Sequence, residues 1–247
     1  MITLSSSIKD MSNDHELQTP STHMVWDLPI RVLHWALVCA VLGAWVTRQL
    51  EGDWFYLHTY CGYAVLLIVA TRLVWGALGT RHARFAFFLP RPTGLRNYLR
   101  ALAAGSVVRS VGHNPLGALM VLVLLGLLLA QALTGLFAND DFSELGPLTG
   151  YVSSNLSDQL TGLHHRFFQV IEFAVLVHVA AVFYYLIFKC QNLIKPMFTG
   201  RKPIREVPPG EAIKDSRVWL ALSIFSFLVF LLWWVVRTAP PSYMFDY

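Results

Sequence analysis

Five long stretches with almost no charged residues dominate the pattern of apolar and polar positions along this chain. They run over Val32–Thr47, Trp54–Thr71, Ser110–Asn139, Phe167–Phe188 and Val218–Val236. With its flanks, each stretch reaches about 20 helical residues, which is enough to cross a hydrocarbon core of roughly 30 Å. The pattern predicts an all-α integral membrane protein with five transmembrane helices. Runs this long and this uniformly apolar exclude a closed β-barrel.

Composition supports the same class of protein. Of the 247 residues, 55% are hydrophobic and 14% are charged, whereas an average soluble domain has roughly 25% charged residues. A soluble enzyme and a disordered protein are therefore excluded. The net charge of +4 gives no support to nucleic-acid binding, because no compact soluble domain remains to carry a basic patch. Residues 1–23 are mostly polar and are predicted to form a flexible cytoplasmic tail.

Charged residues in the connecting segments predict the orientation. The segment from Leu73 to His113 contains six arginines and no acid, whereas Asn139–His165 contains four acids and no Lys or Arg. The positive-inside rule places the N-terminus and the arginine-rich segment in the cytoplasm. The acidic segment and the C-terminus then lie on the periplasmic side of a bacterial inner membrane.

A short amphipathic helix is predicted within the arginine-rich segment. Thr93 can cap a helix over Gly94–Ala104, in which leucines lie on one side and arginines on the other. Such a helix suits the membrane interface, with arginine near anionic lipid. The alternative is a cytoplasmic loop that never touches lipid. His82, in the same segment, is expected to be solvated.

Four histidines lie within or beside the apolar stretches, namely His34, His58, His164 and His178. His164 and His178 are fourteen residues apart, which is 40° short of four full helical turns, so both project from one face about 21 Å apart. His165 is thirteen residues from His178 and falls about 140° from alignment. The helical face therefore favours His164 over its neighbour.

The directions of the helices pair these histidines by depth. His58 and His164 (the outer pair) fall near the outer surface, and His34 and His178 (the inner pair) fall near the cytoplasmic surface. Two neutral imidazoles that face each other suit the axial positions of a haem iron, which predicts two stacked haems in a four-helix bundle. One zinc ion cannot use ligands about 21 Å apart, and a proton relay remains an alternative.

Two arginines follow the same spacing. Arg48 comes fourteen residues after His34, and Arg72 comes fourteen after His58. Each shares a face with its histidine but lies at the opposite membrane surface. Arg48 would meet the propionates of the outer haem and Arg72 those of the inner haem, because guanidinium suits carboxylate recognition. Ordinary positive flanking with interfacial snorkelling is the alternative.

Several motifs around these histidines resemble the bacterial cytochrome b-561 family, which includes the cytochrome b subunits of nickel–iron hydrogenases. They are RVLHW at Arg31–Trp35, VGHNPLGALMV at Val111–Val121, LHH and LVHV around His164 and His178, and NLIKPMFTGRK at Asn192–Lys202. The resemblance covers roughly Val25 to Lys202. It implies a four-helix core, two b-type haems ligated by the four histidines, and quinone-linked electron transfer. Arg31, in the first motif, is counted among the cofactor-binding residues.

The resemblance also predicts the domain organisation. Residues 24–202 form the four-helix di-haem core, and residues 203–247 form a linker, a fifth transmembrane helix and a short outer tail. Members of this family usually stop after four helices. The fifth helix has neither histidine nor charge, so we expect it to pack against the core or dock a partner. The chain offers no means of separating partner docking from pairing of two copies.

The predicted function is electron transfer across the membrane between a periplasmic redox partner, a hydrogenase or a c-type cytochrome, and the quinone pool. His113 and Asn114 could bind a quinone carbonyl near the inner haem, although Asn114 is also a good helix cap. Glu172 could carry protons or be a buried acid bonded to a neighbouring helix.

Two other functions of the whole protein are alternatives. The first is a stand-alone membrane oxidoreductase that oxidises superoxide at the outer haem and reduces quinone, and the second is a haem-free anchor or transporter.

Overall fold

The computed structural model describes residues 22–49, 55–106, 109–139 and 145–241. Its longer elements, in chain order, are β1 (Thr22–Met24), α1 (Leu28–Thr47), α2 (Phe55–Leu78), α3 (Phe85–Phe88), α4 (Pro92–Ala103), α5 (Pro115–Gly135), α6 (Ser154–Phe188), α7 (Ile194–Thr199), β2 (Arg201–Pro203) and α8 (Val218–Arg237). Short 3₁₀ turns cover Thr149–Tyr151 and Ile204–Glu206. The predicted tail over residues 1–21, the start of the second span at Trp54 and the acids Asp140, Asp141 and Glu144 lie outside the described residues.

Five of the described helices are long and apolar enough to cross a membrane, and they are α1, α2, α5, α6 and α8. The predicted class of five-span helical membrane protein is therefore confirmed. Four of the five spans extend beyond the uncharged stretches because flanking residues continue the helices, whereas α5 lies within Ser110–Asn139. α2 passes Arg72 and ends at Leu78, and the 35 residues of α6 begin at Ser154, where Ser153 caps the helix.

Four of these helices form the bundle. α1 packs against α2, α5 packs against α6, and α2 joins the two hairpins by packing against α5. Their shared core contains small and branched apolar side chains from all four helices, namely Ala40, Val65, Ile68, Val69, Leu125, Leu128, Ala132 and Ile171. The fifth span, α8, lies outside the bundle against α2 and touches α1. Its remaining surface is apolar and exposed, as lipid contact or a partner would require.

A small cap closes the end of the bundle that carries the inner pair. β1 pairs antiparallel with β2, with His23 opposite Lys202. The first and last segments of the four-helix core therefore lie at the same side of the bundle, as they must when four spans separate them. Thr22 and His23, which the sequence placed in the tail, belong to this two-stranded sheet, because its partner strand comes from a segment about 180 residues away that sequence patterns do not reveal.

Asp27 ties the cap to two spans. It is 1% exposed, and its carboxylate accepts hydrogen bonds from the backbone N–H of Ile30 at 2.7 Å and from Trp75 Nε1 at 3.1 Å. Thr80 donates a third hydrogen bond to the same carboxylate. A buried carboxylate is costly unless its oxygens are hydrogen-bonded. These contacts meet that requirement and join the start of α1 to the end of α2.

The predicted amphipathic helix is present as α4, although its start differs. It begins at Pro92 with Arg91 in the cap position, and Thr93 lies inside the helix. Proline suits the first helical turn, where its missing N–H is no loss. On the side facing the bundle, the buried hydroxyl of Tyr98 hydrogen-bonds with that of Tyr185 in α6. Contact of its leucines with lipid stays a prediction.

Candidate functional site

The outer pair is brought together by α2 and α6. The ring centroids of His58 and His164 are 6.2 Å apart, and the rings are nearly perpendicular at 81°. Two imidazoles bound on opposite sides of one metal ion need a centroid separation of roughly 6 Å, given a metal–nitrogen bond of about 2 Å. The spacing therefore suits paired axial ligands of a single iron.

Backbone carbonyls orient both rings of the outer pair. His58 Nδ1 lies 2.9 Å from the carbonyl oxygen of Ala44, and His164 Nδ1 lies 2.9 Å from that of Gln131. A carbonyl oxygen only accepts, so each Nδ1 carries the proton and each Nε2 keeps its lone pair. This arrangement is the one that metal-binding histidines use. The side-chain nitrogen of Gln131 lies 3.0 Å from His164 Nε2, where it donates to that lone pair.

A glycine makes the close approach of α5 and α6 possible beside His164. A Cβ built on Gly135 would come within 2.8 Å of His164 Cε1, a distance that side chains do not tolerate. Gly126, on the same helix, has no such neighbour within 4 Å. Gly135 therefore sets the position that the His164 ring can take.

The other outer residues fall as the helical faces predict. His164 is half-buried opposite His58, whereas His165 is exposed on the surface of α6. Arg48, at the end of α1, interacts electrostatically with both histidines of the outer pair. The structure thus places Arg48 at the outer pair, and His165 lies beside His164, at 6.3 Å between ring centroids, but on the exposed side of α6. The ligand and propionate roles stay predictions.

The inner pair lies between α1 and α6. His34 and His178 are half-buried and close enough to interact electrostatically. They belong to the spans that also carry Arg48 and His164, but they lie at the opposite end. The two pairs are therefore stacked along the bundle, about 21 Å apart by the rise along α6.

Cationic and aromatic side chains surround the inner end. The Arg72 guanidinium lies over the Phe85 ring at 5.1 Å, and one of its buried nitrogens, Nη1, has no hydrogen-bond partner among the described residues. It also interacts with the charge of Asp27. A buried guanidinium nitrogen without a partner is costly, so this position suits an added carboxylate such as a haem propionate.

His113 is enclosed beside Arg72. Its ring contacts Trp26 at 4.7 Å and Phe88 at 4.5 Å between centroids, and its Nδ1 is buried without a partner in the described part of the chain. Burial, with the nearby positive charge of Arg72, lowers the pKa of His113 to about 3. His113 is therefore neutral at physiological pH and can exchange a hydrogen bond, but it cannot act as a cation.

Two of the sequence motifs that carried the resemblance touch each other. Arg31 Nη1 donates to the carbonyl of Phe198 at 2.6 Å, and Trp35 Nε1 donates to that of Met197 at 3.3 Å. The Trp35 ring also stacks on the ring of Phe198 at 4.4 Å. Arg31 therefore serves first to hold the segment after α6 against α1, although its buried Nε has no partner among the described residues and can serve a cofactor as well.

Two sequence-based expectations need correction, and one alternative is confirmed. The side-chain oxygen of Asn114 accepts from the N–H of Gly117 at 2.7 Å, as the helix-cap interpretation predicted, so its oxygen is committed to α5. Glu172 is exposed, so it is not a buried acid bonded to a neighbouring helix. His82 is 7% exposed and donates to the carbonyl of Glu211 at 2.8 Å, because the linker before α8 folds over it.

Sequence reasoning missed the residues that support the site. Gln131 contacts His164 from α5, and its one signal is that it is the lone amide in a very apolar helix. Lys202 is buried and donates to the carbonyl of Ser110 at 3.0 Å; burial lowers its pKa. Asp27 caps the start of α1 through Ile30, but its contacts with Trp75 and Thr80 gave no signal because these residues lie about 50 positions away. Only tertiary packing brings these groups to the site.

The donor set fits paired haem ligation better than zinc. Among the described residues, no group of three or more His, Cys, Asp or Glu side chains could hold a metal ion. The histidines instead occur as two facing pairs, each with an arginine at its end of the bundle. Imidazole pairs of this kind suit low-spin b-type haem.

Comparison with known proteins agrees with this donor set. Residues 25–200 match the family described as prokaryotic cytochrome b561, and the chain belongs to that family. It is therefore a multi-pass membrane cytochrome b, a haem protein of electron transport. The family resemblance stated from the motifs is confirmed.

Two similar proteins have more particular names. The chain is 23% identical over 235 residues to a probable Ni/Fe-hydrogenase B-type cytochrome subunit of Bradyrhizobium diazoefficiens, a match that covers 82% of this chain and 94% of that protein. It is 25% identical over 214 residues to a protein of the same name from Rhizobium leguminosarum bv. viciae, covering 74% and 89% respectively. No solved structure matches the chain significantly.

Proposed function

We propose that this cytochrome b binds two haems and conducts electrons along the membrane normal between a periplasmic redox protein and the quinone pool. The observation that carries the proposal is the outer pair, whose ring separation of 6.2 Å suits one iron. The inner pair joins α1 to α6 at the other end of the bundle, where His34 and His178 are close enough to interact electrostatically. A haem with two histidine ligands supplies one-electron transfer and leaves no open position for binding oxygen.

Each residue around the pairs has a definite task in this proposal. The carbonyls of Ala44 and Gln131 hold the Nδ1 protons, which leaves the Nε2 atoms of His58 and His164 as the ligating atoms. At His164 a metal would take the place of the Gln131 side-chain donor. Arg48 serves the propionates at the outer end. Arg72, with its unpaired Nη1, serves those at the inner end. Carboxylate recognition by guanidinium explains why arginine lies at both ends.

The proposed partner is a hydrogenase in the periplasm. The support is the naming of both similar proteins as hydrogenase cytochrome subunits. The chain is 23% and 25% identical to these two proteins, and identity at this level does not fix the partner. A c-type cytochrome as the periplasmic partner therefore stays an alternative. The arginine-rich segment and the positive-inside rule support a location in the inner membrane, with the N-terminus cytoplasmic and the C-terminus periplasmic.

The proposed quinone site lies at the inner end, at His113. Its support is a neutral imidazole with an unpaired, buried Nδ1 beside two aromatic rings. A hydrogen bond from or to such a nitrogen suits a quinone carbonyl, and aromatic rings suit its flat ring. Asn114 contributes at most its amide nitrogen, because its oxygen caps α5.

The proposal is tested by replacing each of the four histidines with alanine and measuring haem per chain and the redox titration of the remaining absorbance. We expect each variant to lose about one haem of two. His58→Ala and His164→Ala should leave the same remaining component, and His34→Ala and His178→Ala should leave the other. His165→Ala is the matched control and should keep both haems. If His34→Ala and His58→Ala leave the same component, the pairing is wrong.

A further inference from the structure

The outward face of α4 carries an open groove that combines apolar and cationic side chains. The groove is lined by Pro92, Leu95, Arg96, Leu99, Arg100 and Ala103. These six residues fall within about 140° around the helix, on the side away from the buried Tyr98. Leu99 is 44% exposed, and both arginines are exposed. We call these six residues the α4 groove.

The two arginines of the groove have no counter-charge on the described protein. Arg96 and Arg100 are four residues apart on one helical face, so their side chains are neighbours and repel each other. Residues 54–139 contain no Asp or Glu. Among the described residues, no ion pair reaches either guanidinium, whereas Arg81 pairs with Glu211 at 2.6 Å. The groove therefore has a positive charge that a bound anion would neutralise.

The groove lies where the lipid-facing surface of α6 ends. The hydroxyl of Tyr98 hydrogen-bonds with that of Tyr185, which lies three residues before the end of α6 at Phe188. Ile187 and Phe188 are 63% and 71% exposed. Tyrosines at the end of an apolar span are typical of the membrane interface. The groove is therefore at the level where lipid headgroups meet acyl chains.

We propose that the α4 groove binds an anionic phospholipid, with the phosphate on the two arginines and one acyl chain along the apolar side chains. The charge of the groove selects this occupant, because guanidinium groups hydrogen-bond phosphate oxygens in pairs. A zwitterionic headgroup carries a cation that opposes its own phosphate. A soluble anion would contact the arginines but leave Leu95 and Leu99 in water. The proposal does not depend on haem or quinone binding.

Native mass spectrometry of the full-length, haem-loaded protein in detergent tests this site. Phosphatidylglycerol, or phosphatidylcholine with the same acyl chains, is added over a range of concentrations, and the first lipid adduct gives a dissociation constant. We expect the first phosphatidylglycerol to bind about 25-fold more tightly than the first phosphatidylcholine. This preference corresponds to about 5-fold for each arginine beside an anionic headgroup.

Variants locate the binding. Arg96→Gln and Arg100→Gln should each reduce the preference to about 5-fold, and the double variant should reduce it to about 1-fold. Glutamine favours a helix almost as well as arginine does, so α4 should persist. Arg205→Gln is the matched control, because it removes an exposed arginine from the 3₁₀ turn after β2. It should leave the preference unchanged, and all variants should keep wild-type haem absorbance.

Three results would overturn the proposal. The first is equal binding of the two lipids to the wild-type protein. The second is a preference that the double variant retains, or that Arg205→Gln lowers as much as Arg96→Gln does, which would make the preference a property of the basic surface as a whole. The third is displacement of phosphatidylglycerol by an equal concentration of glycerol 3-phosphate, which would make the occupant a soluble anion.

Discussion

The position of the His164 ring depends on Gly135, a residue of α5 that has no side chain. Because a Cβ on Gly135 would lie 2.8 Å from His164 Cε1, Gly135→Ala must displace the ring or separate α5 from α6. We expect this variant to lose much of the outer haem, or to shift its reduction potential, while the inner haem is retained. Haem per chain and a redox titration measure both effects.

Gly126→Ala is the matched control for this prediction. It adds the same methyl group to the same helix, where nothing lies within 4 Å, so both haems should be retained. Alanine should also favour the helix slightly, by up to about 1 kcal/mol. Normal haem binding in Gly135→Ala would show that the ring is not held by this contact.

The positions of some residues could be predicted from helical spacing in the sequence, and the positions of others could not. Spacings of fourteen residues predicted that His164 and His178 share a face and that Arg48 meets the outer end, because these relations lie along one helix. The contacts of Gln131 with His164 and of Asp27 with Trp75 cross between elements. Their identities depend on how helices pack, which no pattern along the chain encodes.

At the scale of elements, the spans were predictable and their ends were not. Apolar runs predict α1, α2, α5, α6 and α8 because transfer into lipid depends on composition. The ends depend on capping and on extension beyond the membrane. α4 begins at Pro92, not at Gly94, and the β1–β2 sheet gave no periodic signal because each strand has only three residues.

The fifth span can be removed without touching the proposed haem ligands. Deleting Val218–Tyr247 should leave two haems per chain, because every ligand lies in α1, α2 or α6. Ala221 and Ile224 of α8 pack against the cluster that contains Trp75 and Ile30. We therefore expect the free energy of unfolding in detergent to fall by roughly 1–3 kcal/mol, the scale of a few buried apolar side chains.

A shorter truncation serves as the control. Deleting only residues 242–247 keeps α8 and the close approach of Pro240 and Pro241 to Gly150, so it should change neither stability nor haem content. Haem is measured as absorbance per chain, and stability is measured from the unfolding midpoint. If the longer truncation inserts and folds but binds no haem, the four-helix core is not self-sufficient and α8 contributes to the cofactor sites.

At the scale of the whole molecule, the two ends of the bundle differ in how exposed their histidines and arginines are. The outer end has a half-buried histidine pair beside an exposed arginine, Arg48, which a redox protein can approach. The inner end is covered by the cap, where Arg72 is 9% exposed and His113 lies between aromatic rings. This asymmetry supports a donor at the outer end and a bilayer-borne acceptor at the inner end.

Transfer in series makes this direction testable. His113→Phe keeps an aromatic ring between Trp26 and Phe88 but removes both nitrogens. If a quinone accepts electrons at this end, the variant should reduce a short-chain quinone at least 10-fold more slowly, the scale of losing one hydrogen bond of about 1.4 kcal/mol. Reduction of the protein by an external donor should persist, so the protein should be more reduced in steady turnover. Absorbance changes in proteoliposomes measure both rates.

Asn114→Ser separates helix capping from quinone binding at the same site. Serine keeps an oxygen that can accept from the N–H of Gly117 but removes the amide nitrogen. Because the Asn114 oxygen caps α5 and the proposed quinone contact is made by His113, we expect this variant to reduce quinone at the wild-type rate. A slower rate would assign the quinone contact to the Asn114 amide nitrogen. A quinone analogue that perturbs only the absorbance of the outer pair would place the site at the periplasmic end. His113 would then be a packing residue between Trp26 and Phe88, and the proposed path would need its acceptor beside His58 and His164.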